Sequence, residues 1–246
     1  MIAAAGPACV GVKPQLACFE RLGAPGWSAL GVVVAAAREE GLLVLADGKR
    51  GDVPVSASAY AQALVGATPA PAAEVPGLGV DALTANPLLG TDSLDPLIGG
   101  ARAQGAGVFV LVRTSNPGAA DLLDLRLQAG GTLWERIAQL VDELGRPGRG
   151  AVSGLADVGA VTGATAPQHL ERMRDLMPST PFLLPGVGAQ GGDVGALAAA
   201  FAPGRAAGLV TASRSIVNAY EFGGASPATG ARREAERLRE LAWGLG

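Results

Sequence analysis

Short apolar runs alternate with helical patterns along this chain, and no other feature narrows its fold as far. The pattern predicts strands at residues 8–12, 42–46, 80–85, 107–112, 157–162, 181–184 and 208–211. Each run is bounded by Gly, Pro, Asn or charge, as strands buried in a parallel sheet are. Helical patterns follow at 15–22, 27–40, 56–65, 91–104, 132–144, 167–177, 193–201 and 227–243, with Gly41 as a stop, Ser56 near an N-cap and Pro167 at a start. Residues 66–79 are rich in Ala, Pro and Gly and read as a loop, not a linker, because the alternation resumes directly. Such alternation implies parallel strands joined by right-handed crossovers. A length of 246 residues suits one domain, 1–246, in the range of (β/α)8 TIM barrels, although seven strands leave that barrel one short.

Polar chemistry concentrates at one strand end. In the stretch 42–56, LLVLADGKRGDVPVS, five apolar residues stop abruptly and Asp47, Lys49, Arg50 and Asp52 follow within six positions. The carboxyl ends of parallel strands are where such folds bind ligands. Lys and Arg together number 19, yet Lys13 and Lys49 are the only lysines, both at expected strand ends. Arg stays charged in proteins, whereas Lys can give up and regain a proton. Two ordinary surface lysines are the plain alternative; the company Lys49 keeps favours chemistry.

Composition removes several function classes. Net charge is −3 with scattered signs, so no basic footprint for nucleic acid exists. The arginines from Arg232 to Arg239 alternate with glutamates, as on a solvated helix face. Hydrophobic residues make up 49% and aromatics only 4%, so the core must be built from Ala, Val and Leu. Cys9 and Cys18 sit among apolar neighbours and read as buried free thiols in a reducing cytosol. The single His169, on an outer helix, argues against a His-rich metal site or a Ser-His-Asp triad. Residues 28–37 are too short to span a bilayer, and residues 1–7 lack the basic start of a signal peptide, so the expectation is a cytoplasmic protein with no membrane partner.

A second group of residues suggests an anion. The turn PGVGAQGG at 185–192 lets backbone approach a phosphate, with Gly188 at its middle and the amides of the helix near Asp193 behind it. The last strand ends in Ala212-Ser213-Arg214-Ser215, whose guanidinium could hold the same group. Glycine turns are common, but two such loops on consecutive strands favour a phosphorylated substrate. The spacing fits neither a Walker loop nor a dinucleotide fingerprint. Ser115 and Asn116, at another strand end, either hydrogen-bond a polar ring or merely build a turn. Asn86-Pro87 reads as a strand terminator. A phosphate grip plus a lysine flanked by two aspartates points to proton delivery at a carbanion-like carbon, hence decarboxylation. A Schiff-base aldolase or an enolising isomerase would use similar parts.

The residues Asp47-Gly48-Lys49-Arg50-Gly51-Asp52 resemble the Asp-x-Lys-x-x-Asp signature of the orotidine 5'-phosphate decarboxylase family, in its longer, actinobacterial-type bacterial subgroup. VKPQLACFERLG (12–23), LTANPLLGTDSL (83–94), VLVRTSNPG (110–118), GAVTGAT (159–165) and PGVGAQGG (185–192) resemble that subgroup in the same order. The resemblance implies a (β/α)8 barrel that converts orotidine 5'-monophosphate to uridine 5'-monophosphate and CO2 without metal or organic cofactor. It implies Lys49 as proton donor, Asp47 crowding the departing carboxylate, and Lys13 linking ribose hydroxyls to the charged array. It also implies a homodimer in which Asp52 and Ser56 (more often Thr in the family) reach the partner's site. Ser115 would touch the pyrimidine, while Gly188, Gln190 and Arg214 would hold the phosphate.

The family begins with a strand and helix ahead of the Lys13 strand, the strand ending in a ribose-binding Asp. This sequence starts near the second strand and has no Asp before Asp47. The expectation is an N-terminally truncated barrel, or a misassigned start, with an open seam and impaired activity. Two rivals remain: a magnesium-dependent sugar-phosphate decarboxylase or aldolase of related fold, and a barrel that only binds nucleotide.

Overall fold

The computed structural model describes every residue except Ala189 and Gly223. The chain forms two compact units: Cys9–Phe109 together with Ile2, and Ala3–Ala8 with Val110–Gly246 and Met1. Helix α1 (Ile2–Ala5) and a 3-10 turn (Gly6–Ala8) open the chain.

In the Cys9–Phe109 unit the elements run β1 (Gly11–Val12), α2 (Leu16–Glu20), α3 (Ala24–Glu39), β2 (Leu43–Arg50), α4 (Pro54–Leu64), β3 (Ala67–Thr68), β4 (Val75–Pro76), β5 (Ala82–Ala85) and α5 (Thr91–Ala103). β1 pairs parallel to β2, and β2 parallel to β5. The helix α3 buries Leu30, Val34 and Ala37 at helical spacing, and Gly41, in the left-handed region at φ 70°, turns the chain into β2.

β2 departs from expectation in a way that matters. The strand does not stop at residue 46 but continues through Arg50, so Asp47 and Lys49 lie on it rather than in a loop. Ala46 faces Leu83 and Arg50 faces Ala85, so the stretch of β2 between them is longer than its counterpart on β5 and bulges. Within the expected buried run, Val44 to Asp47 are buried, but Leu43 is 54% exposed. Its partner in register is Gly11, which has no side chain to cover it.

Further differences have local causes. Helix α4 begins at Pro54, whose ring presets the helical φ, so Ser56 stands in its first turn and is not an N-cap. Residues 66–79 contain the small antiparallel hairpin β3–β4 instead of a plain loop. Cys18 is exposed and Cys9 half-buried, so neither is the buried thiol their flanks suggested. The short helix α2 turns Leu16, not Cys18, inward.

Strand β6 (Gly107–Arg113) begins in this unit and ends in the other. The second unit continues with α6 (Ala119–Leu123), α7 (Leu133–Gly145), β7 (Val158–Thr162), α8 (Leu170–Leu176), β8 (Phe182–Pro185), β9 (Gly208–Thr211), α9 (Arg214–Val217) and α10 (Pro227–Trp243). β7, β8 and β9 pair parallel in chain order. Thr132 and Glu135 form a reciprocal capping box at the start of α7, which buries Trp134, Ile137, Ala138 and Val141. The segment after the glycine turn is a 3-10 helix, Val194–Phe201. Arg174, 8% exposed, donates to the carbonyls of Met177, Thr180 and Ala200 and lies 3.8 Å over the Phe182 ring. Burial lowers its pKa to about 10.

Candidate active site

The Cys9–Phe109 unit holds a charged array centred on one carboxylate. Asp47 is 5% exposed. Its Oδ2 pairs with Lys13 Nζ, and its Oδ1 lies 2.6 Å from Lys49 Nζ and 3.0 Å from the Thr84 hydroxyl. The Asp47 amide donates to the Pro14 carbonyl, which fastens the segment bearing Lys13 beside it. Burial works to raise the Asp47 pKa, but the field and hydrogen bond of Lys13, joined by those of Lys49, hold it below 3.8. Magnitudes explain the pair of lysines. Removing a carboxylate from water costs several kcal/mol. An ammonium near 4 Å offsets roughly 4 kcal/mol of that at an effective dielectric of about 20. Lys49, with 40% of its side chain exposed, contributes less than Lys13 because solvent screens it.

The bulge sets the direction of Lys49. Its φ is 47°, a left-handed conformation that a side-chain-bearing residue adopts rarely and that concentrates at functional sites. Its amide donates 2.8 Å to Thr84 Oγ1. On the preceding residue a Cβ would stand 2.7 Å from Leu16 Cδ1, so any side chain in place of Gly48 must displace the end of Leu16. Next to it, Arg50 pairs with Glu20 and lies 5.3 Å over the Tyr60 ring.

The expected arrangement of one lysine between two aspartates is therefore inverted: within the chain one aspartate stands between two lysines. Asp52 accepts the Val53 amide at 2.7 Å, at the mouth of α4, with Ser56 in the first turn beyond. Lys13, Asp47 and Lys49 carry a net single positive charge, which suits an anionic substrate.

The second unit brings together the phosphate and ring candidates. Ser115 Oγ donates to Gln190 Oε1 at 2.9 Å, and the Ser115 carbonyl accepts from Thr165 Oγ1 at 3.0 Å. A Cβ on Gly163 would come within 2.7 Å of Ser115 Cα, so that glycine lets the Ser115 loop settle. Arg113 grips Asp124 through two hydrogen bonds, 3.0 and 2.8 Å, tying the two ends of the loop that carries Ser115. Gly188, at φ 73°, packs against Ser215; a Cβ there would meet Ser215 at 3.1 Å. The glycine turn thus rests on the start of α9, where Arg214 is exposed. One expectation fails: the first amides after the turn do not all face an anion, because Asp193 Oδ1 takes the Gly195 N–H at 3.1 Å. The His169 ring lies 5.4 Å from that of Trp134, tilted by 56°, and burial lowers its pKa, aided by Arg113.

Three polar residues escaped sequence reasoning. Thr84 lies inside an apolar strand and Thr165 in the turn after β7, while Asp124 is paired across a loop; only Thr84 carried a usable signal, as the single hydroxyl in Ala82–Ala85.

Parallel strands leading into helices, with charged and glycine-rich segments at their carboxyl ends, define an enzyme of the (β/α)-barrel class. The chain belongs to the orotidine 5'-phosphate decarboxylase / HUMPS family, which it matches over residues 1–226. It is 46% identical over 216 residues to the orotidine 5'-phosphate decarboxylase of Deinococcus radiodurans, covering 88% of this chain and 74% of that one. Identity to the Rhodopirellula baltica enzyme of the same name is 44% over 210 residues, 85% of this chain and 68% of that one. The solved Leishmania donovani OMP decarboxylase superposes with a TM-score of 0.75 at 32% identity, covering 98% of this chain and 85% of that one.

Proposed function

We propose that the chain decarboxylates orotidine 5'-monophosphate to uridine 5'-monophosphate and CO2, a step of pyrimidine biosynthesis. The single observation that carries this reading is the buried Asp47 held between Lys13 and Lys49. The substrate carboxylate, brought near Asp47, is disfavoured by like charge. The bond from the ring carbon to that carboxylate breaks, CO2 leaves, and the electron pair stays on carbon. The Lys49 ammonium then gives its proton to that carbon and is reprotonated from solvent. Lys13 holds Asp47 ionised and contacts ribose hydroxyls. Ser115 contacts the pyrimidine, and Gly188, Gln190 and Arg214 hold the phosphate. No metal or organic cofactor takes part.

The proposal extends to a cytoplasmic homodimer, with Asp52 and Ser56 reaching the partner's site. In support, Val53 and Val55, beside them, are 56% and 83% exposed. Cys18, an exposed thiol, suits a reducing compartment.

Incubation with orotidine 5'-monophosphate in EDTA tests the reaction, with light scattering on the same sample for the dimer. Stoichiometric CO2 and uridine 5'-monophosphate support it. Binding without turnover, or turnover only of sugar phosphates with magnesium, overturns it.

A further inference from the structure

Thr84 is 1% exposed, and its neighbours on β5, Leu83 and Ala85, are fully buried, so its hydroxyl has no access to water. Oγ1 lies 2.8 Å from the Lys49 amide and 3.0 Å from Asp47 Oδ1. A hydroxyl carries one proton, and an amide N–H can only donate. Oγ1 therefore accepts from Lys49 and must direct its own proton to the carboxylate. The chain of bonds is closed: it leaves the Lys49 amide, passes through Thr84 to Asp47 Oδ1, and returns to Lys49 through the ammonium at 2.6 Å. This ring spans the β2 bulge and pins its backbone at Lys49, between the Asp47 amide on Pro14 and the Arg50 carbonyl on Asn86.

We infer that Thr84 is a positioning residue for the reaction proposed above, its hydroxyl fixing both the Lys49 backbone and the Asp47 carboxylate. The inference rests on that reaction. Valine in its place keeps the shape of the side chain but cannot take the Lys49 N–H or donate to Asp47. Lys49 would lose the restraint that holds its left-handed conformation, and its ammonium would sample positions away from the reacting carbon. Substrate binding, which does not run through this hydroxyl, would persist.

The test compares wild type, Thr84→Ser, Thr84→Val and Thr84→Ala in steady-state decarboxylation, with uridine 5'-monophosphate affinity and melting temperature measured alongside. Loss of one hydrogen bond to a charged group predicts a kcat lower by about ten- to a hundredfold in Thr84→Val. KM and product Kd should stay within about twofold, as expected when a transition-state interaction alone is lost. Thr84→Ser should recover kcat to within a few-fold, and Thr84→Ala, a second hydroxyl-free variant should valine fold poorly, should match Thr84→Val. Unchanged kcat in the hydroxyl-free variants, or a serine variant as slow as they are, overturns the role of Thr84 alone. A wild-type protein that leaves orotidine 5'-monophosphate intact overturns the reaction itself and the role with it.

Discussion

Lys49 closes an ion pair with Asp47 across the single residue Gly48, 2.6 Å from Nζ to Oδ1, from a left-handed backbone conformation. Alternate residues of a regular strand share a face, but here the strand is bulged. The bulge and the positive φ of Lys49 bring its ammonium to Asp47. Three consequences can be measured.

Replacing Lys49 by Arg keeps the charge and the pair with Asp47 but removes a group able to give up a proton. The expected loss in kcat is about 10²- to 10⁴-fold, the span of a general acid. Melting temperature should change little, which a thermal scan would check. Activity near wild type would assign the proton to another group.

Gly48→Ala would press a Cβ to 2.7 Å from Leu16 Cδ1 and 3.1 Å from Arg50 Nε. Overpacking of that kind costs about 1–3 kcal/mol. Chemical denaturation should read that loss as a lower midpoint at unchanged slope, and kcat should fall with it because the Lys49 backbone shifts. A variant as stable as wild type would mean that Leu16 yields freely.

The Asp47 carboxyl titrates lower in the folded protein than the ordinary 3.8, so the unfolded chain binds its proton first as pH falls. The stabilisation is complete above pH 3.8 and is lost as pH drops through the lower folded value. Asp124, held down chiefly by its bond to Arg113, and Glu135, by its bond to Arg172, lose stabilisation in the same direction. Unfolding free energies at pH 7 and pH 3 should therefore differ less in Asp47→Asn than in wild type. Equal differences would mean that Asp47 is not held by the two lysines.

Much of this was legible in sequence, for reasons that differ by element. The strand 208–211 and the helix 227–243 stand where their patterns put them, because their stop signals are local: Gly208, Ser226 and Pro227. Lys13 and Lys49 stood out by scarcity. The inward turn of Asp47 between them could be suspected but not the inversion of the motif, since Asp52 spends a carboxylate oxygen on Val53. Thr84 is visible in sequence only as a lone hydroxyl in an apolar strand; its role depends on a bulge that brings it to Asp47, 37 residues away. The exposure of Cys18 was misread because apolar flanks do not say which side of a five-residue helix turns inward.

The most direct measurement is turnover of orotidine 5'-monophosphate by wild type and Lys49→Ala side by side, with product affinity recorded for both. Wild type should release CO2 and uridine 5'-monophosphate in equal amounts, while the variant binds the product and turns nothing over. Undiminished release of CO2 by Lys49→Ala would contradict the proton transfer on which the whole mechanism depends.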